Sequence, residues 1–257
     1  MREQGLPGGR ITGARRTRMG VHKPVNPCTP AVHALLRHLE EVGFASAPRV
    51  LGIDDEGRQV LSYLEGETVG TAVPWPAWVF SDDALTQVGA WLRSLHEATK
   101  SFVPPPDAIW FAGPPWRPGM VIAHNDAGPH NAVWRDGKLA GFIDWDTAGP
   151  STGELDLAFA ALSWVPLHAR RAVVALGFTD FDDRHRRLHL LLDAYGFIGE
   201  RLAFGQTVAR RARLNAAGIE QMAATGDSAG VALLPFAADL AEAAKEVEQL
   251  PAEFWRR

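Results

Sequence analysis

Two polar clusters joined by an apolar interval constrain this chain more than any other feature. His124-Asn125-Asp126-Ala127-Gly128-Pro129-His130-Asn131 precedes Phe142-Ile143-Asp144-Trp145, so Asn131 lies five residues after Asp126 and Asp144 eighteen after it. Met120-Val121-Ile122-Ala123 reads as a short apolar strand, and Gly128 with Pro129 makes the next stretch a loop. Asn131-Ala132-Val133-Trp134 resumes extended character, Asp136-Gly137-Lys138 forms a tight turn, and Leu139 to Ile143 returns antiparallel to the first strand. A hairpin of this length brings its ends together, which lets Asn131 and Asp144 share one cation.

A carboxylate, a carboxamide and a second carboxylate in this layout suit phosphoryl transfer. That chemistry needs an oriented acceptor hydroxyl and a neutralised triphosphate more than covalent work by the protein. Asp126 would orient the hydroxyl and take its proton. Asn131 and Asp144 would offer oxygens to Mg²⁺, a hard cation that commonly takes only one or two carboxylates from protein. Asp146 is a second candidate ligand, but alternation along an extended Asp-Trp-Asp would point its carboxylate away from that of Asp144. A metal-dependent hydrolase built on His124, Asp126, His130 and Asp144 stays open as a competing reading, without a convincing zinc-ligand pattern to support it.

These motifs, the hairpin between them and the trailing Gly149-Pro150 and Asp156-Leu157-Ala158 resemble those of the aminoglycoside phosphotransferase and choline kinase-like family, from about Gly8 to at least Leu167. The resemblance implies an α+β, protein-kinase-like two-lobed fold. A small, abbreviated N-terminal β-rich lobe with the hinge would occupy residues 1–66, and a larger, mainly helical lobe for catalysis and substrate binding residues 67–257. It implies ATP or GTP with Mg²⁺ as cofactors and a hydroxyl-bearing small molecule, such as an aminoglycoside-like antibiotic, as acceptor. By the same resemblance Asp126 is the catalytic aspartate, His124 braces the catalytic loop, and Asn131 and Asp144 are the metal ligands.

For the nucleotide, the resemblance points to Lys23, at the end of Val21-His22-Lys23, as the residue holding the phosphates, with His22 and Arg18 as alternatives. Ser62, Tyr63 and Leu64 would give backbone contacts to the base, unless they are only a strand ending at Gly66; Gly8 and Gly9 are candidates for a phosphate-covering loop. Helices beyond the hairpin would wall the acceptor pocket, with Trp164, Asp180, Asp182, Asp183, Tyr195 and Glu220 as candidates. One departure stands out. The family carries an acidic partner for the lysine in the following helix, but the early turns here offer Ala31, Val32, His33 and Ala34, and Glu40 and Glu41 come too late. That departure keeps a second function in view, a catalytically weak or inactive kinase-like immunity protein that sequesters an antibiotic or toxin.

Elsewhere the pattern is helical with a few short strands. Gly8 to Ile11 and Arg16 to Lys23 read as strands. Thr29-Pro30 supplies a cap and first-turn proline for a helix whose stripe is Val32, Leu35, Leu36, Leu39 and Val42, ended by Gly43. Arg49 to Ile53 and Gln59 to Leu64 read as strands joined by Asp54-Asp55-Glu56-Gly57. Ser81 caps a helix with Leu85, Val88, Leu92 and Leu95 on one face, and a proline-rich connection runs from Thr99 to Gly119. Further helices are expected over Leu155 to Trp164, His185 to Tyr195, Ile198 to about Ala224 and Ala237 to Leu250.

With 46% hydrophobic residues in 257 and a net charge of -4, the chain reads as globular, with no disposition to bind nucleic acid. No apolar run is long enough to span a membrane. The single Cys28 and the polar start Met1-Arg2-Glu3-Gln4 point to a reducing, cytoplasmic setting.

Overall fold

Five short strands form an antiparallel sheet in the order β1-β2-β3-β5-β4, comprising β1 (Gln4–Gly5), β2 (Arg15–Arg16), β3 (Val21–Lys23), β4 (Val50–Ile53) and β5 (Gln59–Leu61). The structure, a computed structural model, describes residues 4–5, 13–111 and 113–257, so Gly8, Gly9 and the strand expected there lie outside the described residues. β5 is buried along its whole length because it has a strand on either side, and its Gln59 pairs with Lys23. This pairing fixes where the Lys23 side chain leaves the sheet.

Helix α1 (Thr29–Glu41) buries Leu35, Leu36 and Leu39 completely, and each such leucine contributes about 1.5–3 kcal/mol of burial free energy. Val42 falls off the expected stripe: it is the C-terminal cap residue and is 48% exposed, since the chain turns away at Gly43. The N-terminal cap is Cys28, not Thr29. Thr29 already sits in the first turn and uses its hydroxyl to accept the Asn26 N–H at 2.9 Å, while Asn26 Oδ1 accepts the Cys28 N–H at 2.8 Å. Asn26 therefore orders the entry into the helix.

Helix α2 (Asp82–Thr99) begins behind Ser81, whose Oγ accepts the Ala84 N–H at 3.1 Å, and Leu85, Val88, Leu92 and Leu95 are all fully buried. Then come β6 (Val121–Ala123), β7 (Ala132–Arg135), β8 (Lys138–Phe142) and β9 (Gly149–Ser151). The pairing differs from the expected one. β8 returns against β7, and β6 pairs instead with β9. Asp136 and Gly137 both have positive φ, the twist that folds a strand onto its immediate predecessor and leaves β6 to find a later partner.

The chain divides into two compact units, Met1–Thr71 with Trp91–Gly153 and Ala72–Ala90 with Glu154–Arg257. The hairpin thus groups with the N-terminal sheet. Glu67 and Trp134 exchange backbone hydrogen bonds at 2.8 Å within this unit, just after Gly66, where a Cβ would lie 2.6 Å from the Trp134 carbonyl oxygen. The second unit adds α3 (Gly153–Trp164), α4 (Arg170–Ala175), α5 (Arg184–Tyr195), α6 (Arg201–Ala224), α7 (Ser228–Glu248) and α8 (Ala252–Trp255). α4 has no counterpart in the sequence reading, and α7 starts nine residues earlier than expected, capped by Asp227 and running through Pro235. Arg187, 2% exposed, donates to the carbonyls of Phe80 at 2.7 Å and Trp164 at 2.8 Å and so ties α5 to the segments around it. Among the described residues no helix is long and apolar enough to cross a membrane.

Candidate active site

The loop expected to carry the catalytic aspartate follows β6 and closes through a short turn at Pro129–Asn131. Its first residue, His124, is fully buried, edge-on to Trp145 with ring centroids 4.7 Å apart. Both ring nitrogens are engaged. Nδ1 accepts the Asp126 N–H at 3.3 Å, so the proton belongs on Nε2, which donates to the Ile143 carbonyl at 3.1 Å. His124 thus joins the Asp126 backbone to the end of the hairpin, and neither nitrogen is left for a metal. This removes one ligand from the hydrolase reading.

Asp126 is ringed by donors. Asn131 Nδ2 reaches its Oδ2 at 2.8 Å and its carbonyl at 3.0 Å, and His130 Nε2 lies 3.2 and 3.3 Å from its two carboxylate oxygens. Burial alone would push the Asp126 carboxyl up, but His130, His124 and Asn131 outweigh it and hold it below the ordinary value. Burial likewise pushes the His130 imidazole down, and the Asp126 and Asp144 charges raise it past its ordinary value. Asp126 is therefore an ionised acceptor. His130 belongs to this cluster through its i,i+4 spacing from Asp126, a signal the sequence offers only once Asp126 is singled out.

Asn131 and Asp144 meet at the base of the hairpin, where the Ile143 N–H donates to the Asn131 carbonyl at 2.9 Å. With its side-chain nitrogen committed to Asp126, the atom Asn131 can offer a cation is Oδ1. Asp144 has a left-handed backbone, φ 61° and ψ 65°, and a tight turn over Trp145–Thr147 follows. Trp145 is turned into the core, 1% exposed, with its Nε1–H on the Phe142 carbonyl at 2.9 Å. The consequence overturns the expected divergence of Asp144 and Asp146: Lys23 Nζ donates to Asp144 Oδ1 at 2.7 Å and to Asp146 Oδ2 at 2.9 Å. Strand alternation does not apply because residues 144–147 are not extended.

Lys23 is the lobe cation that reaches the site. Burial pushes its ammonium down, but the two carboxylates prevail and leave it raised. His22, on the opposite face of β3, instead bridges Asp54 Oδ2 at 2.7 Å and Thr17 Oγ1 at 3.0 Å. The Asp144 carboxylate and the Asn131 Oδ1 are hard oxygen donors of the kind a divalent cation takes, while Asp146 shares the Lys23 ammonium with Asp144.

The expected hinge continues from β5. The Ser62 N–H donates to the Arg49 carbonyl and the Ser62 hydroxyl accepts the Arg49 N–H, both at 2.8 Å, leaving its carbonyl as the backbone group Ser62 can offer a base. Tyr63 lies under the Arg16 guanidinium, 3.5 Å from the ring centroid, and Arg16 also pairs with Glu65 at 2.9 Å. With Thr17, Leu51, Ser62 and Leu64's neighbours Tyr63 and Glu65, Arg16 lines an open cavity of about 370 Å³ that does not include Asp126, Asp144 or Lys23. In the second unit Trp164 is buried in the core, Asp183 pairs with Arg186 at 2.7 Å, Tyr195 is half-buried, and Asp180, Asp182 and Glu220 are exposed.

The small sheet, the hairpin and the mainly helical remainder define a protein-kinase-like fold, and comparison with known proteins agrees. The chain is similar to a choline/ethanolamine kinase family protein from Mesorhizobium loti, with a TM-score of 0.65 at 15% identity over 99% of this chain and 90% of that one. It is similar also to a spectinomycin phosphotransferase solved with ADP and spectinomycin, with a TM-score of 0.60 at 11% identity over 97% and 93% of the two chains. The model of the phosphotransferase enzyme family matches residues 108–191. The trifolitoxin immunity protein of Rhizobium leguminosarum bv. trifolii is 41% identical over 194 residues, 74% of this chain and 72% of that protein. The chain belongs to the phosphotransferase enzyme family of aminoglycoside phosphotransferase and choline kinase-like proteins.

Proposed function

We propose that this protein transfers the terminal phosphoryl group of ATP or GTP to a hydroxyl of a small molecule, an aminoglycoside-like antibiotic or a toxin. The observation that carries this reading is the pairing of an ionised Asp126, held by Asn131 and His130, with an Asp144 carboxylate already engaged by a lobe lysine. Asp126 orients the incoming hydroxyl and accepts its proton as the bond to phosphorus forms. Asn131 and Asp144 are the residues that would hold Mg²⁺, whose charge neutralises the triphosphate. Lys23 adds a second positive group for the phosphates, and the Tyr63 and Leu64 backbone with the Ser62 carbonyl would take the base. The expected setting is the cytoplasm, where the nucleotide is plentiful.

Its likeness to an immunity protein favours a second reading, in which the chain protects by binding a toxin without turning it over. One experiment separates the two. ADP release is measured against a panel of hydroxyl-bearing antibiotics and amino alcohols, and protection of cells is scored in parallel for the wild type and Asp126→Asn. Phosphotransfer requires ADP formation and protection to fall together, with turnover reduced about 10²–10⁴-fold. Protection that survives a complete loss of ADP release would establish the binding role.

A further inference from the structure

We propose that Asp146 is the counter-ion that positions Lys23 for the nucleotide phosphates, taking over the role of the acid absent from α1. This inference rests on the phosphotransferase reading of the site. Lys23 is 5% exposed, and a buried ammonium needs a carboxylate partner to stay charged and in one place. The described partners are Asp144 at 2.7 Å and Asp146 at 2.9 Å. If Asp144 is required by the metal ion, its hold on Lys23 weakens when Mg·ATP binds, whereas Asp146 can keep the ammonium aimed at the phosphates.

The face of α1 that would otherwise carry the acid holds neutral polar groups instead. Helix α1 packs against the Trp145–Thr147 turn. His33 is buried and pairs through Nε2 with Gln59 Oε1 at 3.2 Å, and Gln59 is the β5 partner of Lys23 in the sheet. An acid at position 33 would have to displace that contact. The polarity of the interface is therefore inverted relative to the family pattern, with the carboxylate on the turn after the hairpin and the neutral polar groups on the helix. Asp146 is one residue removed from the core anchor Trp145, so the acid that holds Lys23 comes from the turn after the hairpin.

The test is a double-mutant cycle of Lys23→Met and Asp146→Asn, read by thermal melting of the full chain in EDTA without nucleotide. Asp146→Asn alone should lower the melting temperature by about 2–4 °C. In the Lys23→Met background it should cost nothing or raise the temperature, because it then relieves repulsion between Asp144 and Asp146. An equal shift in both backgrounds, or a shift that appears only when Mg²⁺ is added, would overturn the assignment and leave Asp146 as a solvated acid or a metal ligand.

The functional arm uses turnover. Asp146→Asn should lower kcat/KM for the nucleotide on the order of tenfold or more, the weight of one charge-assisted hydrogen bond, leave KM for the acceptor unchanged, and be partly restored by Asp146→Glu. A loss confined to the acceptor KM would count against the proposal. Failure of the phosphotransferase reading shows separately, as absence of both ADP formation from ATP and GDP formation from GTP by the wild type, while the melting cycle still decides whether Asp146 holds Lys23.

Discussion

His124 joins two parts of the site through different ring nitrogens, so its two arms can be cut one at a time. Asparagine reproduces the reach of Nδ1, and glutamine that of Nε2. His124→Asn should keep an acceptor for the Asp126 N–H and lose the tie to the Ile143 carbonyl; His124→Gln should do the reverse. The Ile143 contact is the shorter, 3.1 Å against 3.3 Å, and the buried imidazole that makes it packs against Trp145, Phe142 and Trp91. Leaving that carbonyl without its donor costs about 1–3 kcal/mol, and loss of the longer bond about 1 kcal/mol. His124→Leu forfeits both, roughly 2–4 kcal/mol in all.

Catalysis should respond in the opposite order. The Asp126 backbone hangs on Nδ1, and a displacement near 1 Å of a catalytic group costs about 10²-fold in turnover. Urea denaturation followed by tryptophan fluorescence gives the stabilities, and ADP release gives the rates. Asparagine should therefore be the less stable but more active variant, and glutamine the more stable but less active one. Equal stability and equal turnover for the two, or His124→Leu within about 1 kcal/mol of wild type, would refute the assignment of separate duties to the two nitrogens.

Three further outcomes follow from the packing and charge. Gly141, at φ +148°, would bring a Cβ to 2.3 Å from the Ser46 carbonyl oxygen, so Gly141→Ala should destabilise by at least about 2 kcal/mol in chemical denaturation and lower turnover with it. Burial pushes the Asp54 carboxyl up, but hydrogen bonds from His22, Arg58 and the Glu56 and Arg58 amides hold it well below the usual range. A depressed folded-state value means that its contribution is present above about pH 4 and is lost as pH falls. Melting temperatures of Asp54→Asn should accordingly lie below wild type at neutral pH and converge with it in acid; a constant gap would contradict the sign. Arg187→Met should cost roughly 3 kcal/mol by removing the hydrogen bonds to the Phe80 and Trp164 carbonyls, and differential scanning calorimetry would register it as a lower melting temperature.

Periodicity made the helices legible. The stripes Val32 to Leu39 and Leu85 to Leu95 are buried as expected, since a 3.6-residue repeat of apolar groups can bury one face in only one secondary structure. α4 escaped because six residues hold too little period to be seen. The true cap of α1, Cys28, escaped because cysteine offers no capping side chain, whereas Thr29 does and sits one residue later; the path of the chain through Asn26 decides between them. The start of α7 was masked by Pro235, which reads as a break in sequence but is accommodated inside the helix.

The sequence by itself determined the order of chemical groups: an aspartate, an amide five residues on, a hairpin-length interval and a second aspartate ahead of a tryptophan. Such spacings persist in any fold that forms the hairpin, because they are set by covalent length and by the turn at Asp136-Gly137. Only the tertiary structure decided that Asp144 and Asp146 converge on Lys23. That outcome depends on burying Trp145 against His124 and Trp91, which goes with a left-handed backbone at Asp144 and carries the flanking carboxylates to the same side. No local pattern encodes it, since the packing partners of Trp145 come from other parts of the chain.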